Sequence, residues 1–347
     1  MSHPTGTDTA STSPAAAPSA SAAAAKTSTV NTVLGPVPAA DLGVVAVHEA
    51  LLFVVPGAEY APEISMDRAE IFETLAGKLI DFRSHGGQTI VDSTGMFHGR
   101  DLKMYEALSR TTGVHIIAST GMGPEEMLGG YFLTPQTNPP TPWPAEKFAA
   151  LFTKEVTEGM VVPRVERRAA AGLVATTADR SGMTPTEESL FRGAARTAAA
   201  TGVPVSIRYG SDALHDLGIV LDEQLAPERV MVGGLDRAEA VAAGAALDVA
   251  SRGAYVVLDR VGLNDDAGYV TDRERAAVVL ELVEAGCANR ILLSSDAVGV
   301  AKGLPDYDLP FSHVLSTFMP LLASLGLGDA EARRILVDNP RELLTVR

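Results

Sequence analysis

The stretch "LGVVAVHEALLF", Leu42–Phe53, decides the fold. It is a near-continuous apolar, β-branched run of the kind found in strands buried on both faces. The run is interrupted by a polar pair, His48 and Glu49. An apolar strand that arrives at an imidazole and a carboxylate reads as a barrel strand delivering side chains to a mouth. If the pair served a metal, a second histidine would be expected at the next inward position, two residues on. Position 50 is alanine.

Similar runs follow at regular intervals. They are "TIVDST" (89–94), "VHIIAST" (114–120), "GLVATT" (172–177), "VPVSIRY" (203–209), "VMVGGL" (230–235), "YVVLDR" (255–260) and "ILLSSD" (291–296). Segments of 3.6-residue periodicity lie between them, such as "TEESLFRGAARTAAAT" (186–201) and "RERAAVVLELVEAG" (273–286). Eight strands alternating with helices predict an α/β fold, a closed (β/α)8 TIM barrel over residues 29–347. A doubly wound open sheet is the other arrangement such alternation allows, but no glycine-rich phosphate loop follows the first strand. Residues 1–28 are almost all Ala, Ser, Thr and Pro, too poor in apolar bulk to offset ordering, and read as a disordered tail. "GPEEMLGGYFLTPQTNPPTPWPAEKF", with Tyr131, Phe132 and Trp143, is a long connection that reads as a lid or pocket wall, or equally as a plain surface excursion.

The formal charge of −15 argues against nucleic-acid or anionic-membrane partners, which need a concentrated basic surface. "RVERR" at 164–168 reads as a solvated face. The lone cysteine, Cys287, can form neither an internal disulfide nor a cysteine-based zinc site, and it precedes the eighth strand, at the wrong end for chemistry at the mouth. No apolar run reaches membrane-spanning length, so a protein of the reducing cytoplasm that acts on a small molecule is the expectation.

In barrels the reacting groups come from the C-terminal ends of strands. Those ends carry His48 and Glu49, Asp92, Ser119, Thr176 and Thr177, Arg208 and Tyr209, Gly234 with Asp236, Asp259 with Arg260, and Asp296; His98 and Arg100 follow the second strand. His48 and Asp296 are expected to face each other across one mouth. A Ser-His-Asp arrangement with Ser294 or Ser295 beside Asp296 is disfavoured: consecutive strand residues point to opposite faces, so Ser295 points away from the mouth if Asp296 points in.

From about residue 31 the chain resembles the phosphotriesterase-like branch of the amidohydrolase superfamily. The resemblance is carried by "VNTVLGPVPAADLGVVAVHEA", "TIVDSTGMFHGRD", "VHIIASTG", "AGLVATT", "AARTAAATGVPV", "YVVLDR", "ILLSSD" and "NPRELL", in that order. It implies a barrel, often a homodimer, with two divalent metals held by two first-strand histidines, a bridging lysine or glutamate, two further histidines and an aspartate. His48 matches the first histidine and Asp296 the aspartate. The second histidine falls on Ala50, and the bridge on Leu173, Ala175 or Thr176. The remaining two fall on Arg208 and Gly234. Two of six ligands remain, and a guanidinium stands among the lost ones, so no cofactor and no tightly bound metal pair is expected.

The expected function is a metal-independent enzyme acting on a small oxygenated or anionic molecule by general acid/base chemistry: hydrolysis, elimination, isomerisation or cyclisation. Asp296, His48 and Arg208 are its candidate catalytic residues, with Arg208 paired to Asp296 where metal would sit. Tyr209, His98, Glu49, Arg260, Asp259 and Thr176 are candidates for substrate binding. Two other readings stay open: a non-catalytic binding or scaffolding homologue, and an ester, lactone or phosphotriester hydrolase with one weak metal at His48 and Asp296.

Overall fold

The computed structural model describes residues 1, 3, 28–128, 143–162, 165–305 and 308–347. The expected tail, and the core of the lid segment with Tyr131 and Phe132, lie outside the described residues.

The barrel strands are β1 (Val44–Val54), β2 (Gly87–Asp92), β3 (His115–Thr120), β4 (Leu173–Thr177), β5 (Val205–Arg208), β6 (Val230–Gly233), β7 (Tyr255–Leu258) and β8 (Ile291–Leu293). They pair in parallel in sequence order, as a TIM barrel requires. Helices include α1 (Arg68–Ser84), α2 (Leu102–Thr112), α3 (Ala145–Thr157), α4 (Pro185–Thr201), α5 (Ala213–Asp222), α6 (Ala238–Ala242), α7 (Ala245–Ser251) and α8 (Asp272–Glu284). Their starts are set locally. Asp67 and Asp101 accept from the first-turn amides of α1 and α2, while Thr184 with Glu187 and Thr271 with Glu274 form capping boxes on α4 and α8.

Strand alternation separates two apolar layers. Val91, Ile117, Leu173, Ala175, Met231, Tyr255, Val257 and Leu292 fill the barrel, whereas Ile90, Ile116, Val174, Ile207, Val232, Val256 and Leu293 meet the helices. β1 breaks that alternation. Ala46 pairs with Ile90 but Glu49 pairs with Asp92, so three steps on β1 match two on β2. Val45 and Val47 point inward before this bulge, and Leu51 points to the helices after it. His48 and Ala50 therefore fall on the inward side, and Glu49 does not.

Two features were not legible as strands. An antiparallel hairpin, Thr29–Thr32 with Gly35–Pro38, turns at Gly35 with φ +106°. Its Val30 joins Leu343 and Leu344 of the last helix (Asn339–Leu344) against the interior layer, plugging the bottom of the barrel. The second feature is a ninth strand, β9 (Val298–Lys302), pairing with β1 from Val298↔Ala50 to Lys302↔Val54. The eighth strand is thus split: β8 leans on β7, β9 leans on β1, and residues 294–297 cross between.

Glu49 holds that crossing shut. Its carboxyl accepts from Ser294 Oγ at 2.7 Å, Ser295 N at 3.2 Å and Ala297 N at 2.6 Å. Ser294 Oγ also donates to His48 O, and Ala50 N donates to Ala297 O. Among the described residues the carboxyl faces no cation, and burial pushes its pKa up to about 8 despite three donors that favour the ionised form. Among the described residues, no helix is long and apolar enough to cross a membrane.

Candidate functional site

The mouth is built on the row where Thr177, Arg208 and Gly233 lie side by side on β4, β5 and β6. Val205 and Ile207 face the helices, so Arg208 points inward by alternation. Its Nη2 donates to Asp259 Oδ2 at 2.8 Å and to Asp296 Oδ2 at 2.9 Å. Asp259 follows β7 and is fully buried; its Oδ1 accepts from Gly234 N at 3.1 Å. Asp296 lies in the crossing between β8 and β9, at φ +47°, a left-handed conformation rare for a non-glycine residue and often found at functional sites. Arg260 Nη2 stands 3.4 Å from Asp296 Oδ2, and His48 Nε2 stands 4.0 Å from Asp296 Oδ1.

Electrostatics follow from that packing. Burial alone would raise the Asp259 pKa, but Arg208, His48 and Arg260 outweigh it and hold the carboxyl well below the usual range. Burial works against the charge of Arg208 too, and Asp259 and Asp296 overcome it, raising its pKa further. His48 is driven the other way, first by burial and then by the charge of Arg208, so its imidazole is neutral at pH 7. Its Nδ1 is buried without a hydrogen-bond partner among the described residues.

Gly233 and Gly234 make room for this cluster. A Cβ at Gly233 would stand 2.6 Å from Asp259 Oδ2 and 3.7 Å from His48 Cε1. Gly234, at φ +79°, offers Asp259 a backbone N–H where the resemblance implies a histidine.

The other sequence candidates are placed differently. Glu49 is in the seam, turned from the mouth. Tyr209 is buried; its hydroxyl donates to Gly234 O at 3.1 Å and its ring lies under Arg237 at 4.2 Å. His98 stacks on Phe53 with ring centroids 5.3 Å apart, and its Nδ1 lies 3.3 Å from Thr94 O, so it braces the loop after β2. Thr176 is buried between inward Ala175 and the mouth-row Thr177, and alternation turns it toward the helices. Asp92 accepts from Leu51 N at 2.8 Å and Tyr105 Oη at 3.0 Å, tying β1 to α2. Arg100 is locked to Glu155 at 2.7 and 2.9 Å, and Asp236 to Arg275 at 2.6 Å.

Two residues that sequence reasoning missed stand on the rim. Tyr269, between β7 and α8, has the Arg260 guanidinium 4.9 Å from its ring centroid and that of Arg180, from the loop after β4, at 5.6 Å. Their only signal in the sequence was position in polar, glycine-bearing loops after strand ends, "ADRSG" and "NDDAGY".

A binuclear metal centre does not fit these residues. Ala50 has no donor atom, both inward candidates on β4 are apolar, and Gly234 has no side chain. Asp296 is bonded to a guanidinium, which repels a neighbouring cation by about 4 kcal/mol per unit charge at 4 Å and an effective dielectric of 20. Among the described residues no group of three or more His, Cys, Asp or Glu side chains is arranged to hold a metal ion.

A family model for the phosphotriesterase family matches residues 28–344. A phosphotriesterase homology protein of Mycobacterium tuberculosis is 26% identical over 330 residues, covering 90% of this chain and 97% of that one. An aryldialkylphosphatase of Saccharolobus solfataricus is 26% identical, covering 88% and 96%. An N-acetyltaurine hydrolase of Tetraodon nigroviridis is 25% identical, covering 92% and 98%. Among solved structures, a mutant organophosphorus hydrolase from Deinococcus radiodurans superposes with TM-score 0.81 at 26% identity, covering 91% of this chain and 97% of that one.

Proposed function

This chain belongs to the phosphotriesterase family, and we propose that it is a hydrolase of small oxygenated or anionic molecules whose mouth works without the metal pair. Relatives named for hydrolysis of a phosphotriester-type substrate and of N-acetyltaurine favour hydrolysis over elimination or isomerisation. The observation that carries the metal-independent reading is Arg208, whose Nη2 is shared by Asp259 at 2.8 Å and Asp296 at 2.9 Å. A fixed cation on the protein takes up the carboxylate charge that a metal would otherwise neutralise.

In this reading neutral His48 is the general base. Its imidazole accepts a proton from a water whose oxygen attacks the substrate's electrophilic centre; the bond to the leaving group breaks, and the imidazolium returns the proton to that group. Asp296, 4.0 Å from Nε2, stabilises the imidazolium, and Arg208 holds Asp296 in place at 2.9 Å. Arg260, 3.4 Å from Asp296, lines the same mouth and adds positive charge beside the reacting groups. General-base assistance of this kind contributes roughly 10²–10⁴-fold in rate.

The test is metal analysis of protein purified without chelators, paired with ester, amide and phosphotriester turnover before and after exhaustive chelation. Turnover that survives chelation and falls in D296N supports the proposal. Near-stoichiometric zinc, manganese or cobalt, with activity lost on its removal, overturns it.

A further inference from the structure

Which arginine recognises the substrate follows from how the guanidiniums are already engaged. Arg208 faces two carboxylates at 2.8 and 2.9 Å, so an incoming anion there would meet net negative charge. Among the described residues the Arg260 guanidinium meets a carboxylate at a longer distance, 3.4 Å from Asp296, and its Nε is buried with no hydrogen-bond partner. Arg180 reaches Glu239 at 3.5 Å, where the two side chains are 54% and 60% exposed, a weak and solvent-screened pair. Stacking on one tyrosine ring orders both guanidiniums while leaving N–H edges for a ligand.

Tyr269 is itself held firmly. Its backbone bridges Arg237, Val270 N donates to Asp236 O at 3.1 Å, and Ala238 N donates to Gly268 O at 3.2 Å. Asp266, a nearby acidic residue of this loop, is turned to Gly268 N at 3.2 Å. The stack is therefore preorganised, the condition under which a few polar groups give tight recognition.

We propose that the substrate carries an oxyanion group, a carboxylate, sulfonate or phosphate, and that Arg180 and Arg260, spaced by Tyr269, bind it. The proposal rests on the reading of this mouth as the substrate site. It leaves Arg208 as the internal counter-ion and makes Arg180 the residue that sets specificity for charged over neutral substrates. Planar guanidiniums match oxyanions through paired N–H donors, which a lysine would not reproduce.

The experiment is isothermal titration of the full chain with inorganic phosphate and with methanesulfonate at constant ionic strength, in chelator, with acetamide as the neutral control. Arg180 is half-exposed, so R180A retains the fold, checked by its melting temperature. Expected is saturable binding of both anions by the wild type, weakened at least fivefold in R180A and further in R180E, with acetamide indifferent to both. Equal anion affinity in wild type and R180A, or no anion binding by the wild type, overturns the proposal. Because the titration involves neither turnover nor metal, its outcome is independent of whether the metal-free hydrolase reading survives.

Discussion

Glu49 and Asp259 are both fully buried carboxylates at the top of the barrel, and they are stabilised in opposite ways. At the seam, Glu49 meets one hydroxyl, two backbone N–H groups and, among the described residues, no cation, and its pKa climbs to about 8. At the mouth, Asp259 meets Arg208 and a backbone N–H, and its pKa falls. Hydrogen bonds alone do not offset desolvation, whereas a charge partner does. The seam closes the barrel with a carboxyl inclined to be neutral; the mouth holds Asp259 ionised against Arg208.

Removing the charge partner breaks the comparison most severely. R208M leaves Asp259 buried and unpaired and is expected to lose about 3–5 kcal/mol of stability, read by denaturant unfolding, together with turnover. Retention of full stability would sink the account of the mouth.

The seam has its own signature in pH. The folded-state pKa of Glu49 lies above the unfolded value, so its contribution is fully present below about pH 4.5 and is lost as pH rises through about 8. Stability should therefore decline across that window by on the order of a few kcal/mol, and E49Q, which mimics the neutral acid, should flatten the decline. A pH profile unchanged in E49Q would show that the seam carboxyl is ionised after all.

Crowding the mouth sharpens the contrast more gently. G233A places a methyl 2.6 Å from Asp259 Oδ2, displacing it from Arg208. The expected loss is about 1–3 kcal/mol, with kcat reduced, measured by thermal unfolding and steady-state rates. Smallest in stability is H48Q. Among the described residues its Nδ1 has no hydrogen-bond partner and its Nε2 stands 4.0 Å from Asp296, so unfolding should shift by less than about 1 kcal/mol. kcat should nonetheless drop roughly 10²-fold. An unaltered kcat in H48Q would remove His48 from the chemistry.

Reading strand ends located most of the mouth. His48, Arg208, Asp259, Arg260 and Asp296 come together, because a parallel barrel gathers strand C-termini whatever the loops do. It did not separate them from their neighbours in sequence. Glu49 sits beside His48 and Tyr209 beside Arg208, yet the bulge on β1 and alternation on β5 send them elsewhere. The pairing of Arg208 with Asp296 was readable from the ring of strand ends. Its equal bond to Asp259 was not, since that requires knowing that Gly233 leaves the space.

By itself the sequence determined the alternation of strands and helices and the polar ring at the strand ends, both properties of residue identity at a given period. Tertiary structure alone decided the split of the eighth strand, the seam closed by Glu49, the hairpin that plugs the barrel and the Arg180–Tyr269–Arg260 stack. Each of these depends on contacts between segments far apart in the chain. Their energy comes from burial and geometry, which no local pattern of residues encodes.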